Sequence, residues 1–344
     1  MTPAGTTAEG PELLRAAAAS GIHRISVPTP FAVGRVNCYL LEGSPLTLVD
    51  TGPNSGKSLD ELERALNALG HAVEELELIV ITHQHIDHLG LTEVLVRRSQ
   101  AEVAALDLLV GYLQRFGAEV SQDDAFSMAI MRRHGVPDDL SIALSTVGAA
   151  FRAFGCSAQV TRPLRDSEQL VVGERSFTVL HRPGHSPSDT LLHETATDVL
   201  IGGDHLLPHI SSNPLISRPL GVASDAASAA ERPHALQTYI ASMGRTREMA
   251  LSYVLPGHGD PFCDHVALID DRLGMHERRA AKLHGLLADG PLSAFELAQR
   301  MWGNVAVTQA YLTLCEVLGH MDLLVADGRV IETEGSGVVR FQAH

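Results

Sequence analysis

The chain has 344 residues, 26 of them basic and 41 acidic, for a formal net charge of −15; 45% are hydrophobic and 19% charged. These values fit a globular protein with one large domain and a small one, and the acidic balance opposes tight binding to nucleic acid or an anionic membrane. The longest apolar runs are strand-length, Met1 to Ser20 lacks a basic region and a long apolar core, and Cys38, Cys156, Cys263 and Cys315 form no CxxC pair. The expectation is a cytoplasmic protein with reduced core thiols and no membrane span.

In chain order, Glu12 to Ser20 predicts a short helix, and Ile22 to Val27, Val36 to Leu41 and Leu46 to Val49 predict strands, with a hairpin turn at Gly43-Ser44-Pro45. The third strand ends in Asp50-Thr51-Gly52. Ser58 to Leu69 carries Leu59, Leu62, Leu66 and Leu69 at helical spacing and stops at Gly70. Leu76 to Ile81 then has the apolar, β-branched character of a buried strand and runs into Thr82-His83-Gln84-His85-Ile86-Asp87-His88, after which Leu89, Leu91, Val94 and Leu95 predict an amphipathic helix. While the backbone stays extended, His83 and His85 project from one face. Asp87 and His88 follow as the chain turns and aim at a neighbouring point. Two imidazoles at one point and a carboxylate plus an imidazole at the next suit a pair of borderline divalent cations.

The missing ligands should appear in similar settings, and three further apolar strands end the same way. Phe177 to Leu180 leads to Pro183-Gly184-His185, Val199 to Ile201 to Gly202-Gly203-Asp204, and Tyr253 to Leu255 to Pro256-Gly257-His258. Glycine and proline bend each turn sharply and leave room beside the ligand.

Taken together, His83-x-His85-x-Asp87-His88 followed by His185, Asp204 and His258 resembles the metallo-β-lactamase superfamily of metallohydrolases, over roughly Ile25 to Pro261. The resemblance implies the α/β (α+β) class, with an αββα sandwich carrying the metals at one edge. It implies that His83, His85 and His185 hold one metal and Asp87, His88 and His258 a second, with Asp204 bridging. Asp50 would position the site by accepting the second N–H of a ligand imidazole. The implied cofactors are two divalent ions, zinc in the first instance, with iron or manganese as alternatives. Position 85 is His where the oxygen-reducing diiron relatives carry a carboxylate, which disfavours that branch.

Residues 107–160 form a helical insertion between two strands, with helices expected around Leu108 to Phe116, Ala125 to Met131 and Leu140 to Phe154. In this fold it would roof the metal site; Met128, Met131, Phe151 and Phe154 line a pocket or pack together. The loop after Asp204 places His205 and His209 near the metals as candidate substrate contacts. The catalytic domain is expected to span 1–276 and a smaller unit 277–344. In the latter, Arg278 to Leu287, a capping box at Ser293 to Glu296 and Val307 to Met321 predict three helices, and Leu323 to Glu332 a hairpin around Asp327-Gly328. Val338 to Phe341 would add a strand. This pattern resembles a winged-helix domain, as found after the catalytic domain in a subset of the superfamily. Its six basic and eight acidic residues favour packing or homodimerisation over nucleic-acid binding.

Two cations a few ångströms apart can bridge a water and supply hydroxide near neutral pH, with Asp87 orienting it and shuttling its proton. Hydrolysis is therefore the expected reaction. The leading substrate is a small-molecule thioester, ester or lactone, as in hydroxyacylglutathione-hydrolase-like members. The alternatives are phosphodiester cleavage of RNA and, in another class, a mononuclear iron thiol dioxygenase.

Overall fold

The computed structural model describes residues 10–221 and 229–344, so the Met1–Glu9 part of the N-terminal reading lies outside the described residues. Helix α1 (Gly10–Ala19) leads into β1 (Ile22–Val27), β2 (Val36–Leu41), β3 (Thr47–Val49), α2 (Gly56–Ala68), β4 (Leu78–Ile81), the short helices α3 (Ile86–Leu89) and α4 (Thr92–Ser99), and β5 (Glu102–Leu106). The insertion supplies α5 (Val110–Gln114), α6 (Phe116–Arg133) and α7 (Asp138–Phe151) before β6 (Arg162–Leu164). Strands β7 (Gln169–Val172), β8 (Arg175–His181), β9 (Thr190–Glu194) and β10 (Val199–Gly203), helix α8 (Ala235–Arg247), strand β11 (Tyr253–Pro256) and helix α9 (His265–Leu286) follow. The chain closes with β12 (Leu292–Ser293), α10 (Ala294–Trp302), α11 (Val305–Thr308), α12 (Ala310–Ala326), β13 (Val330–Gly335) and β14 (Val338–Ala343).

Strands β1 to β6 form one sheet in sequence order, and a second runs β11-β10-β9-β8-β7. Strand β4 shows why they stack. Leu78 and Val80 join a core shared with Phe177, Val179, Leu192 and Ile201 of the second sheet, whereas Ile79 and Ile81 meet Leu62 and Leu66 of α2. A period of two with both faces buried makes an apolar run rather than an alternating one. Behind the second sheet, Phe262 packs both on Leu191, Leu200 and Val254 and on Tyr239, Met243 and Ile269 of α8 and α9. The result is the αββα sandwich implied by the resemblance.

Parallel pairing of β3 with β4 and of β10 with β11 brings the carboxyl ends of these strands to one edge. There the sheets are tied directly: Val36 bridges His258, Asn37 donates from Nδ2 to Pro256 O at 2.9 Å, and the Tyr39 hydroxyl donates to the same carbonyl at 2.8 Å.

Several expectations shift. Ala125 to Met131 lies inside the longer α6; Met131 is buried and Met128 packs beside it, while Phe151 (tilted) and Phe154 (edge-on) pack against Phe31 with centroids 5.4 and 6.3 Å away. The expected Arg278 to Leu287 helix is the second half of α9, which runs unbroken through 276–277. The capping box forms as read: Ser293 Oγ accepts from Glu296 N and Glu296 Oε2 from Ser293 N. Asp327-Gly328 is not the hairpin turn. Helix α12 continues to Ala326 and Gly328 (φ 68°) caps it, its N–H donating to Val325 O at 3.0 Å. The hairpin is β13–β14, turning at Ser336 and Gly337, both at positive φ, and β12 pairs on its far edge. Phe126 and Ile130 of the insertion share one core with Phe295, Leu314, Leu318 and Phe341.

Candidate metal centre

His85 is the last extended residue (φ −71°, ψ 140°) before α3, and the helical turn that follows redirects Asp87 and His88. His83 Nε2 and His185 Nε2 lie 3.0 and 2.9 Å from His85 Nδ1. Beside them, His258 Nε2 is 3.4 Å from Asp87 Oδ2 and 3.5 Å from Asp204 Oδ2, and His88 Nε2 is 3.4 Å from Asp204 Oδ1. Asp204 Oδ2 is also 3.6 Å from His185 Nε2, so one carboxylate faces both groups. Tetrahedral ligation at about 2.0–2.1 Å puts donor atoms roughly 3.3–3.4 Å apart, which these separations approach.

The atoms behind the ligands fix which nitrogen faces inward. His88 Nδ1 lies 2.7 Å from Asp50 Oδ2; a carboxylate only accepts, so Nδ1 carries a proton and Nε2 is the nitrogen left to bind a metal. His258 Nδ1 donates to Arg35 O at 2.7 Å with the same result. The Thr82 hydroxyl donates to Asp50 Oδ2 at 2.8 Å and is left to accept from His83 Nδ1 at 3.0 Å. Three imidazoles thus turn Nε2 toward the centre, the nitrogen a metal would take.

The electrostatics match. Burial holds the His83 ring well below the usual histidine range and His85 at about 3, so both are neutral. Burial works upward on Asp204, but the protonated forms of His88 and His258 outweigh it and keep the carboxyl ionised, and Asp204 in turn holds both rings above the usual histidine range; a bound cation would take the place of those protons. His88 Nε2 and Asp204 Oδ1 are buried with no hydrogen-bond partner among the described residues. Buried polar atoms left without a partner are costly, and divalent cations would relieve that cost. The residues present fit two such ions: His83, His85 and His185 would hold one, Asp87, His88 and His258 the other, and Asp204 stands between them.

The centre opens into a cavity of about 720 Å³, lined on one side by His85, Asp87, His185, Asp204 and His258. Tyr112, Val120 and Asp123 of the insertion form its roof, and the far wall is Gln309, Tyr311 and Leu312. His205 and His209 do not line it. His205 is fully buried, its Nε2 2.9 Å from Thr246 Oγ1 and its ring edge-on to Tyr239, in the turn after β10 and against the α8 core. His209 is exposed beside Gly259. Neither lies on the cavity wall where the substrate contacts were expected.

A family model described as "Metallo-beta-lactamase superfamily" matches residues 32–258. The chain belongs to the metallo-beta-lactamase superfamily. It is 32% identical to the probable metallo-hydrolase YqjP of Bacillus subtilis (strain 168), over 92% of this chain and 96% of that one. It is 30% identical to the Bos taurus protein named acyl-coenzyme A thioesterase MBLAC2, over 49% of this chain and 58% of that one. Among solved structures, it resembles a beta-lactamase domain protein from Burkholderia ambifaria (TM-score 0.78, 27% identity, 100% of this chain and 96% of that one). It also resembles a metallo-beta-lactamase family protein from Thermus thermophilus (TM-score 0.77, 25% identity, 94% and 99%).

Within this superfamily site, sequence reasoning overlooked Thr82, although it adjoins His83, and the Arg35 carbonyl, which carries no side-chain signature. It also missed the α12 wall, since nothing local marks a helix that docks fifty residues after the last ligand. A further histidine–glutamate group lies apart from the superfamily centre, between α9 and α12: His276 Nδ1 is 3.2 Å from His320 Nε2, with Glu316 alongside. Glu316 accepts from Arg279 and His320 Nδ1 donates to Glu316 O at 2.6 Å, while His276 Nε2 is buried without a hydrogen-bond partner among the described residues.

Proposed function

We propose that this superfamily member is a dinuclear metallohydrolase acting on a carbonyl ester or thioester of a small molecule, zinc being the expected metal. The observation that carries this is the union of both ligand triads with a single cavity walled by three separate parts of the chain, which suits a small molecule rather than a polymer. The bound cations would polarise the substrate carbonyl and lower the pKa of water. Asp87, its carboxylate held below the usual range against burial by His258 and His88, stands ionised at the cavity to take a proton from the attacking water. The acyl carbon–sulfur (or –oxygen) bond breaks, water oxygen forms the new acyl–oxygen bond, and the leaving group takes the proton. The name of the MBLAC2 relative supports the thioester choice.

Helix α9, strand β12, helices α10 and α12, and the β13–β14 hairpin follow the order of a winged-helix unit, and we read it as one. The net acidity of that segment speaks against RNA as its partner. Four free cysteines agree with a cytoplasmic address, and no helix among the described residues is long and apolar enough to cross a membrane. The second triad at Asp87, His88 and His258 supports two metals over the single iron of a thiol dioxygenase.

The test is metal content per chain after purification without added metal, together with turnover of a thioester and a phosphodiester. Two zinc-like ions with thioester turnover are expected. One iron, with oxygen consumed on a persulfide, would overturn the reaction class.

A further inference from the structure

We propose that α12 carries the specificity subsite of this cavity: Leu312, which lines it together with Val33 and Ile210, receives the apolar acyl chain of the substrate. The proposal rests on the ester or thioester reading above and names the part of the substrate that does not react.

Val33, Ile210 and Leu312 come from the β1–β2 connection, the loop after β10 and the C-terminal helix, yet they line one cavity. They are 36%, 44% and 41% exposed, which is unusual for large aliphatic side chains gathered in one place. Convergence of separated segments on an uncovered apolar rim beside metal ligands marks a surface that a ligand covers. The charged groups deeper in the wall are satisfied by one another: Asp123 accepts from Arg218 Nε at 3.0 Å and from the Tyr112 hydroxyl at 3.0 Å, and Arg218 also pairs with Glu119. Recognition on this side therefore works through apolar contact.

The wall is also fixed in place. Asn213 Nδ2 donates to Leu312 O at 3.0 Å, the Tyr311 hydroxyl to Ile216 O, and Ile216 N to Cys315 Sγ at 3.4 Å. Further along α12, Asp322 accepts two bonds from Arg232, at 2.7 and 2.6 Å. The loop after β10 and α12 thus form one unit, so Leu312 acts as a fixed contact along the acyl chain.

The experiment measures kcat/KM on acetyl, butyryl and octanoyl thioesters for the wild type, Leu312→Asp and Leu312→Met. Val325→Asp, an exposed apolar residue on the same helix outside the cavity, is the control. The wild type should favour octanoyl over acetyl, and Leu312→Asp should cut that ratio roughly tenfold or more, chiefly through KM. Leu312→Met should restore the preference and Val325→Asp should leave it. An unchanged ratio in Leu312→Asp, or an equal change in Val325→Asp, would overturn the subsite. If no thioester is turned over, the hydrolase reading fails separately. Calorimetric titration with octanoate then decides the subsite: tenfold weaker binding to Leu312→Asp than to wild type supports it, and equal binding overturns it.

Discussion

Asp50→Asn is the sharpest test of how the centre is held. Asp50 sits at φ 60°, and its Oδ1 accepts two bonds from Thr82, from N at 2.9 Å and from Oγ1 at 3.1 Å, while Oδ2 accepts from Thr82 Oγ1 at 2.8 Å and faces His88 Nδ1 at 2.7 Å. A backbone N–H cannot accept, so the amide oxygen must occupy the Oδ1 position. The new NH₂ is thereby turned toward His88. To avoid two opposed donors His88 must move its proton to Nε2, the nitrogen that should hold the metal. Loss of such an outer partner costs about 10–100-fold in metal affinity, or roughly 1.4–2.8 kcal/mol. The loss should fall on the ion at Asp87, His88 and His258 and largely spare the one at His83, His85 and His185. Competition titration with a chromogenic zinc chelator, fitted to two sites, reads this directly: one equivalent stays within about threefold of wild type and the other weakens by one to two decades. Equal weakening of both, or of neither, refutes the tautomer argument.

Two further outcomes follow from the packing. A Cβ on Gly257 would lie 2.2 Å from Asp204 Oδ1 and 2.9 Å from His88 Cε1, so Gly257→Ala should lose metal, by elemental analysis, with far-ultraviolet circular dichroism retained. His134 is buried against Phe341 with rings 9° from parallel, and burial, then Arg232 and Arg133, depress it to about 3. A depressed histidine contributes stability above its unfolded pKa of about 6.5 and loses it as pH falls toward 3, which is roughly 2 kcal/mol by pH 5. His134→Phe should therefore reduce the pH 7 to pH 5 difference in urea-unfolding free energy by about that amount; an unchanged difference refutes the assignment.

The ligand set was legible because its chemistry is local: each ligand ends a short apolar strand, and strand-plus-turn patterns are readable one segment at a time. Asp50 was legible for the same reason, as the polar end of β3. What escaped depends on tertiary packing. Asp-Gly at 327–328 suits a tight hairpin and also a left-handed helix cap, and α12 took the second use because its apolar face had the α6 and α10 core to bury. His205 is a turn histidine as read, but its partners Thr246 and Tyr239 come from α8, which no local pattern around residue 205 reveals. The junction expected at 276–277 was invisible as helix because α9 begins at His265, capped by Asp264, whose Oδ1 accepts from Ala267 N at 2.9 Å.

The placement of the last wall on α12 also has a consequence for biosynthesis. All seven candidate ligands have been translated by His258, whereas Leu312 is added 54 residues later (312 − 258). At about 5–20 residues per second the ribosome needs roughly 3–11 s for that stretch. During this interval the nascent chain can hold a complete ligand set with its cavity still unroofed on one side, and ions have open passage from the cell's metal pool. Once α12 docks, that side of the cavity is closed and entry is restricted to the finished mouth.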